Sequence, residues 1–211
     1  MPQTNDSRSA PSLFSWRVLL PGLTTVLFWG GSFTVTKALV AEWPPLTIAA
    51  ARWLLAALIF AVLIPWQGQT STLRQALTED FWAVLRLGAI GVAFLFGVQN
   101  VALLYTTAAN ASVLGNLVPL FVLLLSVFFL GEPLTGRLVL AVVMGTVGAA
   151  LFSLGGAAFV TEPKHLLGDG LTLLAALGGG VYVVQGKAIL ERYPPLTVTA
   201  LAAGVGGALL A

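Results

Sequence analysis

Runs of about twenty apolar residues recur along this chain, and no other feature constrains its fold as strongly. A helix that crosses the hydrocarbon core of a bilayer needs about 20 predominantly apolar residues. The stretches 18–41, 46–64, 82–104, 108–130, 138–154 and 171–190 meet or approach that length. A seventh begins at 196 and continues to 211. Backbone N–H and C=O groups find no water in lipid, so such runs fold as helices that satisfy their own hydrogen bonds. The expected fold class is all-α, a polytopic bundle of transmembrane helices. Prolines and glycines punctuate it: Pro44 and Pro45 open the second run, Pro65 closes it, and Gly131, Glu132 and Pro133 close the fourth.

Composition agrees with the runs. Charged residues make up 9% of the chain and hydrophobic ones 58%. A soluble domain carries about 25% charged residues, so this chain has too few to coat a globular surface in water. The bilayer is the expected partner. A net charge of +2, scattered along the chain, gives nucleic acid no footprint. With no cysteine, disulfides, thiolate metal sites and cysteine nucleophiles are excluded. The single histidine, His165, falls in a loop between runs, and no buried Asp pair or Gly-x-Ser-x-Gly is present. An intramembrane enzyme therefore lacks its constellation, and neither cofactor nor metal is implied.

The N-terminal tail, 1–17, is polar, and the apolar stretch after it exceeds the roughly 7–15 residues of a signal-peptide core. It reads as an uncleaved first span. Arg8, Arg17, Arg74, Arg86, Arg137, Lys187 and Arg192 all fall on one side of the expected bundle, against Lys164 on the other. The positive-inside rule then puts the N-terminus in the cytoplasm of a cell (plasma or inner) membrane. Lys37 and Arg52 remain, inside the first and second runs.

The chain also repeats itself. Lys37, Ala38, Pro44, Pro45, Leu46 and Thr47 recur as Lys187, Ala188, Pro194, Pro195, Leu196 and Thr197, at an offset of 150. Trp43 meets Tyr193, and Gly30 meets Gly180. A shared lysine, a double proline and a preceding aromatic are not the chance similarity of two apolar helices. The first run maps onto the sixth, so one repeat holds five helices. An odd number of spans makes the second copy run upside down, the inverted-topology repeat of secondary transporters. The organisation expected is a tail at 1–17, a first repeat at 18–154, an extracytoplasmic loop at 155–169 and the start of a second repeat at 170–211. Two copies would occupy about 300 residues, so the second is expected to be unfinished here, after about seven of ten helices. Two such chains in a homodimer would rebuild two five-helix halves.

Ordered motifs then resemble a known family. Phe28, Trp29, Gly30, Gly31, Ser32 and Phe33 lie in the first run, and Ala50, Ala51, Arg52 and Trp53 in the second. Residues 108–119 lie in the fourth run, and Phe129, Leu130, Gly131, Glu132, Pro133 and Leu134 close it, followed by a glycine-rich fifth run with Gly145 and Gly148. Together these resemble the EamA-type permeases of the drug/metabolite transporter superfamily. The resemblance implies ten helices, two repeats and a central cavity for a small-molecule substrate, with amino acids and other metabolites among the cargo. A membrane fragment or scaffold that does not transport remains the alternative.

Particular residues follow. Lys37 and Arg52 each lie about seven residues, or roughly 10 Å, from the Pro44–Pro45 turn. Ionisable groups at membrane depth point to function, and two cations at one level could hold a carboxylate; equally, both could snorkel to headgroups. Lys187 is the symmetry mate of Lys37 and a candidate gating residue. Gln99 and Asn100 in the third run, and Ser112, Asn116 and Pro119 at i, i+4 and i+7 in the fourth, are either a polar cavity wall or interhelical hydrogen bonders. Pro119 removes a helix hydrogen bond and could open a hinge. Trp29, Phe33 and Tyr182 are candidates to line a substrate cavity. Glu132 either pairs with Arg137 to fix a tight turn or acts as a gate.

Overall fold

The computed structural model describes residues 16–131, 133, 135–155 and 163–211. Among these residues the secondary structure is helical throughout. The helices are α1 (Trp16–Leu39), α2 (Pro45–Trp66), α3 (Thr70–Glu79), α4 (Phe81–Gly88), α5 (Leu95–Tyr105), α6 (Ala108–Gly115), α7 (Val118–Leu130), α8 (Gly136–Gly155), α9 (Pro163–Leu190) and α10 (Pro195–Leu210). A π-helical segment, Ala89–Phe94, joins α4 to α5. Five stretches, Leu19–Leu39, Pro45–Trp66, Phe81–Tyr105, Ala108–Leu130 and Lys164–Leu190, are long and apolar enough to cross a membrane. Gly136–Gly148 and Pro195–Leu210 are shorter apolar helices. The polytopic helical bundle expected from the apolar runs is therefore the fold.

The punctuation does its expected work. Pro45 and Pro195 take the first position of α2 and α10, where the missing N–H would have had no helical partner. Gly131 ends α7 in the left-handed region at φ 64°, which a residue without Cβ adopts at little cost. Thr107 caps α6 by accepting a hydrogen bond from the Asn110 backbone N–H at 3.1 Å.

The structure departs from the sequence expectation in four places. The fourth run is not one helix: it breaks at Asn116 and Leu117, two residues before Pro119, which cannot donate back to the preceding turn. The third run widens into the π segment, where two glycines, Gly88 and Gly91, sit under side chains of other helices. The link between the second and third runs contains a helix, α3, too short and polar for a search based on span length; its Leu73 and Ala76 pack with Tyr193, Val198 and Leu201. Finally, α9 begins at Pro163, within the expected loop 155–169. Lys164, His165 and Asp169 lower the local hydropathy without stopping the helix.

Contacts along the helices fix their directions. Down α9, Gly168 touches Thr106, Gly178 touches Phe94, Tyr182 lies over Gly91, Gly186 approaches Leu87, and Arg192 reaches Asp80. So α9 runs antiparallel to the α4–α5 span. On α10, Thr197 donates to Gln69 Oε1 at 2.7 Å, while Gly207 abuts Trp53 and Leu54. So α10 runs antiparallel to its repeat mate α2, and this is the most extensive helix pairing in the molecule. On α1, Lys37 meets Leu103 and Phe33 meets Gly115, so α1 ends beside the end of α5 and runs opposite to its mate α9. The two Pro-Pro-Leu-Thr turns thus lie at opposite ends of the bundle.

Each end carries a polar clamp on α9 or the turn after it. At one end Arg192 pairs with Asp80 at 2.6 Å and with Glu79 at 3.4 Å, and Tyr193 donates to Asp80 at 2.7 Å. That carboxylate holds the Tyr193 hydroxyl above the usual phenol pKa. At the other end Thr106 donates to Asp169 Oδ1 at 2.5 Å and Asn110 to Oδ2 at 3.5 Å.

Candidate functional site

A cavity of about 380 Å³ opens where α1, α2, α5, α9 and α10 meet the break between α6 and α7. This lies within the range of about 300–1,000 Å³ typical of small-molecule sites. Its wall is aromatic and amide-bearing, with Trp29, Phe33, Trp53, Phe96 and Tyr182 around Gln99 and Asn116. Thr172 and Thr199 add hydroxyls from α9 and α10. Both halves of the repeat therefore contribute to one chamber. Among the described residues, no Asp, Glu, Lys or Arg lines it.

Local structure explains the shape. Gly91 admits the Tyr182 ring: a Cβ there would fall 1.9 Å from Tyr182 Cδ2. Gly115 similarly leaves room for the tip of Phe33, 3.2 Å from where its Cβ would be. The break at Asn116 and Leu117 turns the helix so that Asn116 and Pro119 both reach the chamber. Trp53 and Phe96 pack at 4.8 Å between centroids. Together with Trp29 and Gln99 they line both the chamber and a more open groove of about 700 Å³ that continues along the first half of α1, from Leu20 and Pro21 to Trp29. Arg52 lines that groove, with its Cζ 5.9 Å from the Phe96 centroid.

The proposed residues thus separate into groups. The chamber brings together Trp29, Phe33, Asn116, Pro119 and Tyr182, and Arg52 stands at its edge. Lys37 lines neither cavity; its ammonium donates to the Leu103 carbonyl at 2.5 Å. Asn100 is fully buried and donates to the Pro45 carbonyl at 3.0 Å, tying α5 to the start of α2. Ser112 turns its hydroxyl back to the Ala109 carbonyl. Lys187 and Arg137 are exposed near the ends of α9 and α8. Glu132, and with it the expected pairing to Arg137, lies outside the described residues.

Trp53, Phe96, Thr172 and Thr199 are wall residues that the sequence reading did not propose. A signal existed for Phe96: Val92, Leu95, Phe96 and Gln99 recur at the spacing of one helix face, and all four line the chamber.

Residues 16–154 match the model of the EamA-like transporter family. The chain belongs to that family. An uncharacterized transporter of Archaeoglobus fulgidus is 31% identical over 184 residues, covering 86% of this chain and 62% of the relative. A protein of Streptantibioticus cattleyicolor named as a probable terminal-alkyne amino-acid exporter is 25% identical over 195 residues, covering 92% of this chain and 62% of its own. The chain thus spans less than two thirds of the length of these relatives. A solved crystal structure superposes with a TM-score of 0.65 at 24% identity, covering 90% of this chain and 64% of the other, a likeness of fold. The EamA-family chain is a multi-pass membrane protein whose central chamber sits beside the broken fourth span.

Proposed function

We propose that this chain takes part in moving a small metabolite, an amino acid or a related compound, across the membrane by alternating access. The observation that carries the reading is the chamber at the meeting of the two repeat halves, walled by Trp29 and Phe33 on α1 and by Tyr182 on its inverted mate α9. Two packings related by a pseudo-two-fold expose such a chamber to opposite faces in turn. An aromatic wall with a few neutral amides and hydroxyls suits an apolar body with one polar end. The amino-acid class is supported by the name of the Streptantibioticus relative. We place the N-terminus in the cytoplasm, on the lysine and arginine asymmetry.

Counterflow in proteoliposomes tests this. The protein expressed from its complete reading frame should give saturable exchange of at least one member of a panel of amino acids and their amides. Trp29→Ala should raise KM or abolish the exchange. Exchange no faster than in empty liposomes across the panel would contradict the proposal.

A further inference from the structure

Among the described residues, Arg52 is the one charged side chain on the wall of either cavity, and no carboxylate lines either of them. A guanidinium carries five N–H donors in a planar fork and has no acceptor. Within the described residues Arg52 uses one of them, on Thr36 Oγ1 at 3.3 Å. The rest of the fork faces a groove whose other walls are neutral. Beneath it lies the Phe96 ring, and Trp53 packs on that same ring. The Trp53 indole Nε1 is buried and finds no acceptor among the described residues. A buried donor without an acceptor is costly, and an incoming acceptor would relieve that cost. A guanidinium with most of its donors unused and an indole N–H without an acceptor, both packed on Phe96, each call for an acceptor, and the guanidinium's charge favours an oxyanion. One positive charge and one neutral donor match a monoanion better than a phosphate dianion. The adjacent apolar chamber has room for the body that carries the anion.

We infer that Arg52 and Trp53, both seated on Phe96, form a subsite for the carboxylate of the transported compound, with the apolar remainder in the aromatic chamber. The inference rests on the reading of that chamber as the substrate site. Arg52 sets specificity: it separates a carboxylate-bearing metabolite from the corresponding neutral amide. Lys37, equally deep in the first span, does not share this task, because it lines neither the chamber nor the groove. An anionic lipid headgroup offers the same oxygens to the same fork, so the test carries an arm for it.

The full-length protein is placed in nanodiscs of neutral phosphatidylcholine. Binding is measured by calorimetry for L-phenylalanine, L-leucine and L-threonine, each against its amide, with counterflow of the same pairs in liposomes. At least one acid is expected to bind about tenfold or more tighter than its amide, the effect of a hydrogen bond to a charged group. Arg52→Gln removes that preference. Arg52→Lys, which keeps the charge but not the fork, retains part of it and guards against a variant that simply fails to fold. Trp53→Phe weakens the acid more than the amide. Acid and amide bound or moved equally by the wild type, or a preference that survives Arg52→Gln, overturns the subsite and leaves the transport proposal standing. Loss of phosphatidylglycerol retention in Arg52→Gln, with the acid preference unchanged, assigns the guanidinium to a headgroup and also overturns it. No exchange of any compound in the panel overturns the transport proposal, and the subsite with it.

Discussion

A single missing methyl group shapes the chamber. Tyr182 lies so close over Gly91 that an alanine there would force the ring aside, since the new Cβ would sit inside the ring's contact distance. Gly91→Ala should therefore displace Tyr182 from the wall and lower exchange by about tenfold or more, as misplacement of a binding group by about 1 Å can do. Gly30→Ala, on α1 with nothing within 4 Å of the added atom, should leave exchange unchanged. Counterflow rates of the two variants, normalised to inserted protein, decide the matter. At this scale the sequence was partly legible. The aromatic residues of the apolar runs pointed to Trp29, Phe33 and Tyr182. Asn100 and Gln99 show the limit: both read as amides deep in the third run, and of the two only Gln99 lines the chamber. Neighbours on a helix point about 100° apart, and only knowledge of which face turns inward separates them. The π segment one turn earlier makes that phase harder to extrapolate, because a wider turn rotates every residue after it.

Helix pairs explain why so many glycines are needed. On α10, a Cβ at Gly206 would lie 2.2 Å from Val92 Cβ and 2.7 Å from the Gly88 carbonyl oxygen, so α10 and the π segment meet almost backbone to backbone. Close approach through small residues is how membrane helices gain packing energy where no hydrophobic drive separates helix from lipid. Gly206→Ala should overpack this contact and cost about 1–3 kcal/mol. Gly204→Ala, with nothing within 4 Å, should cost little or add slight helix stability. Thermal melts of the two variants in detergent test the difference, and equal melting temperatures would contradict the account. The apolar runs located these helices because length and hydropathy are what a bilayer selects. They missed the break at Asn116 and the start of α9. A broken span keeps its hydropathy, and a helix can continue past the apolar zone into polar sequence. Asp169 shows the consequence: read as a loop residue, it accepts hydrogen bonds from Thr106 and Asn110 at the end of the α5–α6 turn.

At the level of the whole molecule, one arrangement organises the rest. α1 and α2 recur as α9 and α10, each mate runs opposite to its counterpart, and the chamber lies between the two sets. This was the most legible part of the chain, because Pro-Pro-Leu-Thr and a lysine ten residues before its threonine mark the repeat through two otherwise different apolar helices. What the repeat alone could not give was the depth at which the halves meet; that required side-chain contacts such as Thr197 with Gln69 and Gly207 with Leu54. Antiparallel mates place the α1–α2 turn and the α9–α10 turn on opposite faces of the membrane. Because the chain has no cysteine, one cysteine at a time reports each face without background. Glu42→Cys and Glu191→Cys, both at exposed turn positions, are labelled with a membrane-impermeant maleimide in right-side-out and inverted vesicles. The account predicts that position 42 reacts from outside the cell and position 191 only from the cytoplasmic face. Reaction of both positions from the same face would contradict it.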